Sequence, residues 1–115
     1  MAELYHIAER TTWLQAAEAG EYLMSTRDLT LAQEGFIHCS LLHQLRGVAD
    51  RFYRDADDLV VLVIDSAAVP APVRYESPAP GAEKYPHIYG PLPAQAVTSV
   101  IPVGRDPEGN FILPG

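Results

Sequence analysis

Three histidines stand in short motifs whose residue types favour a small-molecule site. Each motif is strand-like, and the second and third are bounded by Gly or Pro; they are Tyr-His at residues 5–6, Phe-Ile-His-Cys-Ser at 36–40 and Pro-His-Ile-Tyr-Gly at 86–90. An imidazole changes charge near neutral pH, so it can polarise a bound group or transfer a proton to it. The clustering of three such motifs favours a shared site over three unrelated histidines.

Strand geometry divides these motifs into a polar and an apolar face, because successive side chains point to opposite sides. Ile37 and Cys39 fall on one face, which we expect in the core. We predict that a sheet joining the three strands gathers the remaining polar side chains in one cleft: His6, His38, Ser40, His87 and Tyr89.

Each of these residues also has a simpler structural interpretation. His38 can be a packed, hydrogen-bonded histidine, and His6 a strand residue near the surface. Ser40 is a good N-cap for a helix over residues 41–53, and capping would occupy its hydroxyl. Residues 86–90 can form only a rigid turn.

Other chemistries are less well supported by the spacing. The three histidines show no HxH or HExxH pattern, so no metal site is predicted. A catalytic Cys39 is disfavoured because its neighbour His38 points to the opposite face of the strand. Phosphate-binding patterns of the GxGxxG or GxxxxGK[ST] type do not occur.

Composition limits the class of protein and its partners. A length of 115 residues suits one domain over residues 1–115. The net charge of −7 disfavours a long nucleic acid, and the single cysteine allows no intrachain disulfide. The longest apolar run, residues 59–64, is too short for a bilayer. With no signal-peptide pattern, we expect a cytoplasmic protein without a membrane partner.

The elements that must position the site are short. A capping box at Thr12 and Gln15, with Gly20 as the C-terminal signal, predicts a helix over residues 13–19. Residues 21–33 lack a clear period and are predicted as a partly ordered loop. Strands are predicted at residues 4–7, 36–39, 59–64, 73–76 and 97–103, with a turn towards 111–113. The order predicts an α+β fold, a mixed sheet with two short helices packed against it.

The motifs resemble a small bacterial family called domain of unknown function 952. The resemblance covers about residues 4–103 and depends mainly on Gly-Phe-Ile-His-Cys-Ser at 35–40 and Pro-His-Ile-Tyr-Gly-Pro-Leu at 86–92. Residues 104–115 are expected as a C-terminal hairpin or tail. The family is similar to the ADP-ribosyltransferase superfamily, so the resemblance implies an ADP-ribosyltransferase-like fold with a mainly antiparallel split sheet.

The same resemblance implies roles for individual residues. His6 corresponds to the histidine that contacts a ribose of NAD, and Tyr89 to the aromatic residue that stacks on a planar ring. His38 with Ser40 resembles the second-strand motif, which contains histidine in the RNA 2′-phosphotransferase branch. The last motif contains no transferase glutamate, and neither Glu76 nor Glu83 matches its position.

The expected function is binding of a nucleotide-type ligand, NAD or an ADP-ribose derivative, with glycosyl or phosphoryl transfer as the candidate reaction. His38 and His87 are the catalytic candidates; the ligand-binding candidates are His6, Ser40, Arg74 and Tyr89. NAD is a candidate ligand or substrate, and no resident cofactor is predicted. The alternatives are a non-catalytic binding module, a protein-interaction module and, with the least support from the spacing, a histidine-based metal site. A monomer or weak homodimer is expected.

Overall fold

The structure, a computed structural model, describes residues 3–115 and consists of many short elements. The strands are β1 (Glu3–Glu9), β2 (Glu21–Tyr22), β3 (Met24–Thr26), β4 (Leu29–Thr30), β5 (Ile37–His38), β6 (Leu59–Asp65), β7 (Val73–Glu76), β8 (Tyr85–Ile88), β9 (Leu92–Pro93), β10 (Val97–Pro102), β11 (Gly104–Arg105) and β12 (Phe111–Ile112). The helices are α1 (Arg10–Ala19), α2 (Leu31–Glu34) and α3 (Leu45–Phe52), with 3₁₀ turns at Leu42–Gln44, Ser66–Ala68 and Ala94–Ala96.

The centre of the molecule is a three-stranded antiparallel sheet in the order β1-β6-β10. Residues 59–64 of β6 are all buried, because one apolar cluster packs on each face of the strand. An uninterrupted apolar run is typical of a strand covered on both sides. The prediction of a central strand here is confirmed.

A second three-stranded sheet, in the order β5-β8-β7, carries the second and third histidine motifs. Its antiparallel register places Ile37 opposite Ile88, and places His38 opposite His87. A backbone bridge between Tyr5 and Ser40 joins this sheet to β1. Ile37 and Ile88 are fully buried, so the apolar face of this sheet packs into the core as predicted.

Helix α1 begins at Arg10, three residues before the predicted start. Its N-cap is Glu9, and no side chain caps the helix, so the predicted capping box at Thr12 is wrong. The C-terminal signal is confirmed: Gly20 adopts φ 95°, the left-handed conformation that glycine tolerates best.

Residues 21–33, predicted as a partly ordered loop, form β2, β3, β4 and most of α2. The partners of β2 lie far along the chain, since Tyr22 pairs with Leu92 of β9. Thr30 forms a capping box with Gln33 at the start of α2. A local hydrophobic period does not reveal strands of two or three residues, whether they pair with a distant strand, as β2 does, or with each other, as β3 and β4 do.

The helix predicted over residues 41–53 is divided into the 3₁₀ turn Leu42–Gln44 and α3. Ser40 does not cap it, because Ser40 instead exchanges backbone hydrogen bonds with Tyr5. Leu45 and Ala49 are buried as expected, but Phe52 is 56% exposed. The helical period therefore assigned Phe52 to the core incorrectly.

The fold class is mixed α+β, with every sheet pairing in residues 3–115 antiparallel. The described part of the chain has three α-helices, one more than predicted. The C-terminal hairpin pairs β11 with β12, and β10 pairs with β6. Between residues 3 and 115 no helix has both the length and the apolar character needed to cross a membrane.

Candidate functional site

The polar face of the β5-β8-β7 sheet lines a cavity of about 760 Å³. Ligand pockets commonly enclose about 300–1,000 Å³, so a nucleotide-sized molecule fits the space. The five polar side chains predicted to share a cleft all line it: His6, His38, Ser40, His87 and Tyr89. Their roles in binding stay predictions.

Phe36 packs the two site histidines against each other. Its ring stacks on His87 at 4.1 Å between centroids and meets His38 edge-to-face at 4.7 Å. The His38 and His87 rings lie 5.1 Å apart, nearly perpendicular. Aromatic pairs of this kind restrain ring orientation, so Phe36 holds both imidazoles at the cavity wall.

Glu76 is the acceptor for one side chain of the neighbouring strand β8, His87, and for Tyr89, which directly follows that strand. Its Oε1 lies 2.9 Å from Nδ1 of His87 and also accepts a hydrogen bond from the hydroxyl of Tyr89. A donor at Nδ1 leaves a lone pair on Nε2 of a neutral imidazole. Glu76 therefore selects the tautomer of His87 in which Nε2 can accept a proton.

These hydrogen bonds affect the ionisation of Glu76 and Tyr89 in opposite directions. The pKa of Glu76 lies below its usual range because the Tyr89 hydroxyl and then His87 donate to the carboxylate. The pKa of Tyr89 lies above its usual range, chiefly because its hydroxyl donates to Glu76. Glu76 is therefore a carboxylate at neutral pH, while Tyr89 keeps its proton.

His38 faces a second carboxylate, with Nε2 3.4 Å from Oε1 of Glu34. The pKa of His38 lies below its ordinary value, mainly because burial disfavours the charged ring; Glu34 opposes this shift, and His87 adds to it. The site therefore contains two imidazoles, each with its own glutamate, and His38 is neutral at pH 7.

His6 lines the cavity but is buried, and both of its ring nitrogens have hydrogen-bond partners within the protein. Its Nδ1 lies 2.5 Å from the carbonyl oxygen of His38, and its Nε2 lies 2.9 Å from the hydroxyl of Tyr22. Burial lowers the pKa of His6 to about 4, so the ring is uncharged at neutral pH. Neither nitrogen is free for the ribose contact that the resemblance implied.

The cation that faces the cavity is Arg51, at the C-terminal end of α3. Arg74, the predicted phosphate contact, is not among the lining residues; its guanidinium lies 5.3 Å from the centre of the Tyr89 ring. Arg74 alternates with Glu76 along β7, so it shares the polar face but lies beyond the cavity rim.

Two further sequence interpretations concern Cys39 and metal binding. Cys39 is buried in the core, and burial raises the pKa of its thiol, so it is not a thiolate nucleophile at neutral pH. No group of three or more His, Cys, Asp or Glu side chains within residues 3–115 could hold a metal ion.

The residues that sequence reasoning missed are Glu34, Phe36, Arg51 and Glu76. The sequence could have indicated Phe36 as a site residue, because Phe36 alternates with His38 along one strand. For Glu76 the indication was only partial: Arg74 and Glu76 alternate along a strand and form its polar face. Glu76 and His87 are eleven residues apart in the sequence, and the pairing register of β7 with β8 brings them together. The sequence alone does not specify that register.

Solved structures with the same fold come from Caulobacter crescentus. A crystal structure of protein CC0527 has a TM-score of 0.81 and 25% identity, over 96% of this chain and 94% of that chain. A solution NMR structure of CC0527 has a TM-score of 0.77 and 30% identity, over 96% of this chain and 91% of that chain. None of the curated proteins matches the chain. The family described as Protein of unknown function (DUF952) matches residues 7–100, and the chain belongs to this family.

Proposed function

We propose that the protein binds a nucleotide-type ligand, NAD or an ADP-ribose derivative, and transfers a glycosyl or phosphoryl group from it. The observation that carries this proposal is the shared carboxylate of Glu76, which orients His87 and Tyr89 on the wall of a nucleotide-sized cavity. The last sequence motif has no carboxylate, and Glu76 on the adjacent strand β7 places one beside His87 of that motif.

His87 is the proton acceptor in this proposal. Its Nδ1–H donates to Glu76, so Nε2 can take the proton of an acceptor hydroxyl. The oxygen of that hydroxyl then bonds to the transferred group while the bond to the leaving group breaks; in glycosyl transfer from NAD this is the glycosidic C–N bond, and neutral nicotinamide leaves. The positive charge that forms on the ring then lies beside an ionised carboxylate, which stabilises it. A general base of this kind typically contributes about 10²–10⁴-fold to a rate.

His38 has a different role because its environment keeps it uncharged. A neutral imidazole has one N–H donor, and Glu34 accepts from it at Nε2, so Nδ1 is left with a lone pair that can accept a hydrogen bond from a hydroxyl of the ligand. Glu34, 3.4 Å from Nε2, orients the ring. Two tyrosines, Tyr85 and Tyr89, also line the cavity and suit a planar ring such as nicotinamide.

Binding without turnover is the second candidate function. It is favoured by the hydrogen bonding of Glu76, whose Oε1 already accepts from both His87 and Tyr89. That oxygen has little capacity left for a ribose hydroxyl. The protein would then recognise the same ligand class with the same wall and release it unchanged.

The first experiment is a thermal-shift series with NAD, ADP-ribose, nicotinamide mononucleotide and a 2′,3′-cyclic phosphate. A ligand at 100 times its Kd adds about 2.7 kcal/mol, which raises the Tm of a domain of this size by several degrees. If none of these ligands shifts the Tm of the wild-type protein, the proposal is wrong. Chromatographic detection of released nicotinamide then separates transfer from binding alone.

A matched pair of variants assigns the effect to the site. His87→Gln removes the imidazole that pairs with Glu76 and should reduce both the shift and any turnover. His43→Gln is the control, because His43 also pairs with a glutamate, Glu83 at 2.7 Å, but lies outside the cavity. If both variants lost the ligand-induced Tm shift and the turnover equally, the role assigned to His87 would be contradicted.

A further inference from the structure

The mouth of the cavity carries exposed apolar side chains that the proposed chemistry does not use. Phe52 is 56% exposed and Leu29 is 38% exposed, and both line the cavity. A single exposed apolar residue is ordinary on a protein surface. Two of them at the entrance of one ligand-sized cavity form an apolar rim that a bound molecule could cover.

Arg51 gives this rim a positive charge. Its guanidinium lies 5.7 Å from the centre of the Phe52 ring and also lines the cavity. Arg51 takes part in none of the ion pairs formed by the part of the chain that the structure describes. Asp55, four residues further along the chain, forms its ion pair with Arg27, at 2.7 Å.

An aromatic ring with an adjacent unpaired arginine matches the chemistry of a nucleotide. The face of Phe52 can stack on a purine base, and a guanidinium presents several donors to phosphate oxygens. The wall with Glu76 and His87 lies in the same cavity, and at about 760 Å³ the cavity is in the upper part of the usual range for ligands.

We propose that the rim formed by Leu29, Arg51 and Phe52 is a second ring subsite, so that the site selects a dinucleotide over a mononucleotide. This inference rests on the proposed function and adds which part of the ligand each part of the cavity binds. The base of the adenylate half stacks on Phe52, the diphosphate lies against Arg51, and the reactive sugar lies at the Glu76–His87 wall. A ligand with one ring would leave either the rim or the wall uncovered.

Calorimetric titration can test this division with NAD and its two halves, AMP and nicotinamide mononucleotide. We expect the wild-type protein to bind NAD more tightly than either half. Phe52→Ala should weaken NAD and AMP at least about fivefold, because stacking on an aromatic side chain contributes about 1–3 kcal/mol per base. It should leave nicotinamide mononucleotide unchanged, and Phe52→Trp should retain the NAD affinity.

Leu14→Ala provides the matched control, since Leu14 is also 56% exposed but lies outside the cavity. Because both residues are on the surface, both variants should keep the wild-type Tm. If Phe52→Ala binds NAD as tightly as Leu14→Ala does, the second subsite does not exist, although the proposed function stands. If wild-type protein binds none of the three ligands, the proposed function fails first. If Phe52→Ala changes only the oligomeric state in sedimentation, the rim is an interface between copies, and the inference is wrong.

Discussion

The hydroxyl of Tyr22 donates a hydrogen bond to Nε2 of His6, 2.9 Å away in the protein interior. The opposite nitrogen of the same ring, Nδ1, donates to the carbonyl oxygen of His38. One neutral imidazole thereby connects β1, β2 and β5, three strands that are distant in the sequence. His6 therefore holds the strand bearing His38 in place, and its nitrogens have no capacity left for a ligand.

Acid should destabilise the protein through His6. Its pKa is about 4 in the folded state and about 6.5 in an unfolded chain, so the unfolded state binds more protons between these values. The stability that depends on a neutral His6 is therefore fully present above pH 6.5 and is lost as the pH falls towards 4. We expect the free energy of unfolding to fall by about 2 kcal/mol between pH 7 and pH 5, measured by urea denaturation.

Two variants test the assignment of this pH dependence. His6→Gln should lower stability at both pH values but reduce the difference between them, because the titrating group is gone. His43→Gln should keep the wild-type difference, since His43 is exposed. An unchanged pH dependence in His6→Gln would show that other groups cause the loss.

Removing the Tyr22 hydroxyl should also destabilise the protein. Tyr22→Phe keeps the buried ring and its edge contact with His6 but leaves Nε2 of His6 without a donor. An unpaired buried acceptor costs about 1–3 kcal/mol, which chemical denaturation can measure. Tyr75→Phe is the control; Tyr75 is 45% exposed, and we expect it to alter stability by less than about 0.5 kcal/mol.

The sequence predicts the parts of this fold that local pattern determines. The apolar run of β6 identifies the central strand, and alternation in residues 36–40 separates buried Ile37 from His38 at the cavity. Both predictions depend only on which face a side chain occupies. Face assignment follows from the two-residue period of a strand and needs no knowledge of its partner.

The predictions that failed concern residues whose positions are set by tertiary structure. Ser40 has the residue type of a helix cap, but its backbone pairs with Tyr5, and that tertiary contact overrides the local preference. Phe52 fits a helical apolar period, yet it faces the mouth of a cavity. Glu76 joins the site through the β7-β8 register, which the sequence does not encode locally.

The link between Glu76 and Tyr89 should be visible in a titration of the phenol. Glu76→Gln removes the negative charge that favours the protonated phenol, so the pKa of Tyr89 should fall towards its ordinary value. The ¹³Cζ chemical shift of Tyr89 followed by NMR across alkaline pH measures this change. Glu83→Gln removes a similar carboxylate, paired with His43, and should leave Tyr89 unchanged. An unaltered Tyr89 titration in Glu76→Gln would mean that the hydrogen bond is absent in solution.

Gly90, which follows Tyr89, is required by close packing against Ala71. A Cβ placed on Gly90 would lie 2.7 Å from the Cβ of Ala71, closer than real side chains approach. Gly90→Ala should therefore cost about 1–3 kcal/mol, the usual range for overpacking, and should shift Tyr89 away from Glu76. Adding Ala71→Gly removes the clashing methyl group, so the double variant should recover most of the lost stability and of the Tyr89 titration. Failure of Ala71→Gly to rescue either measurement would show that Gly90 is needed for another reason.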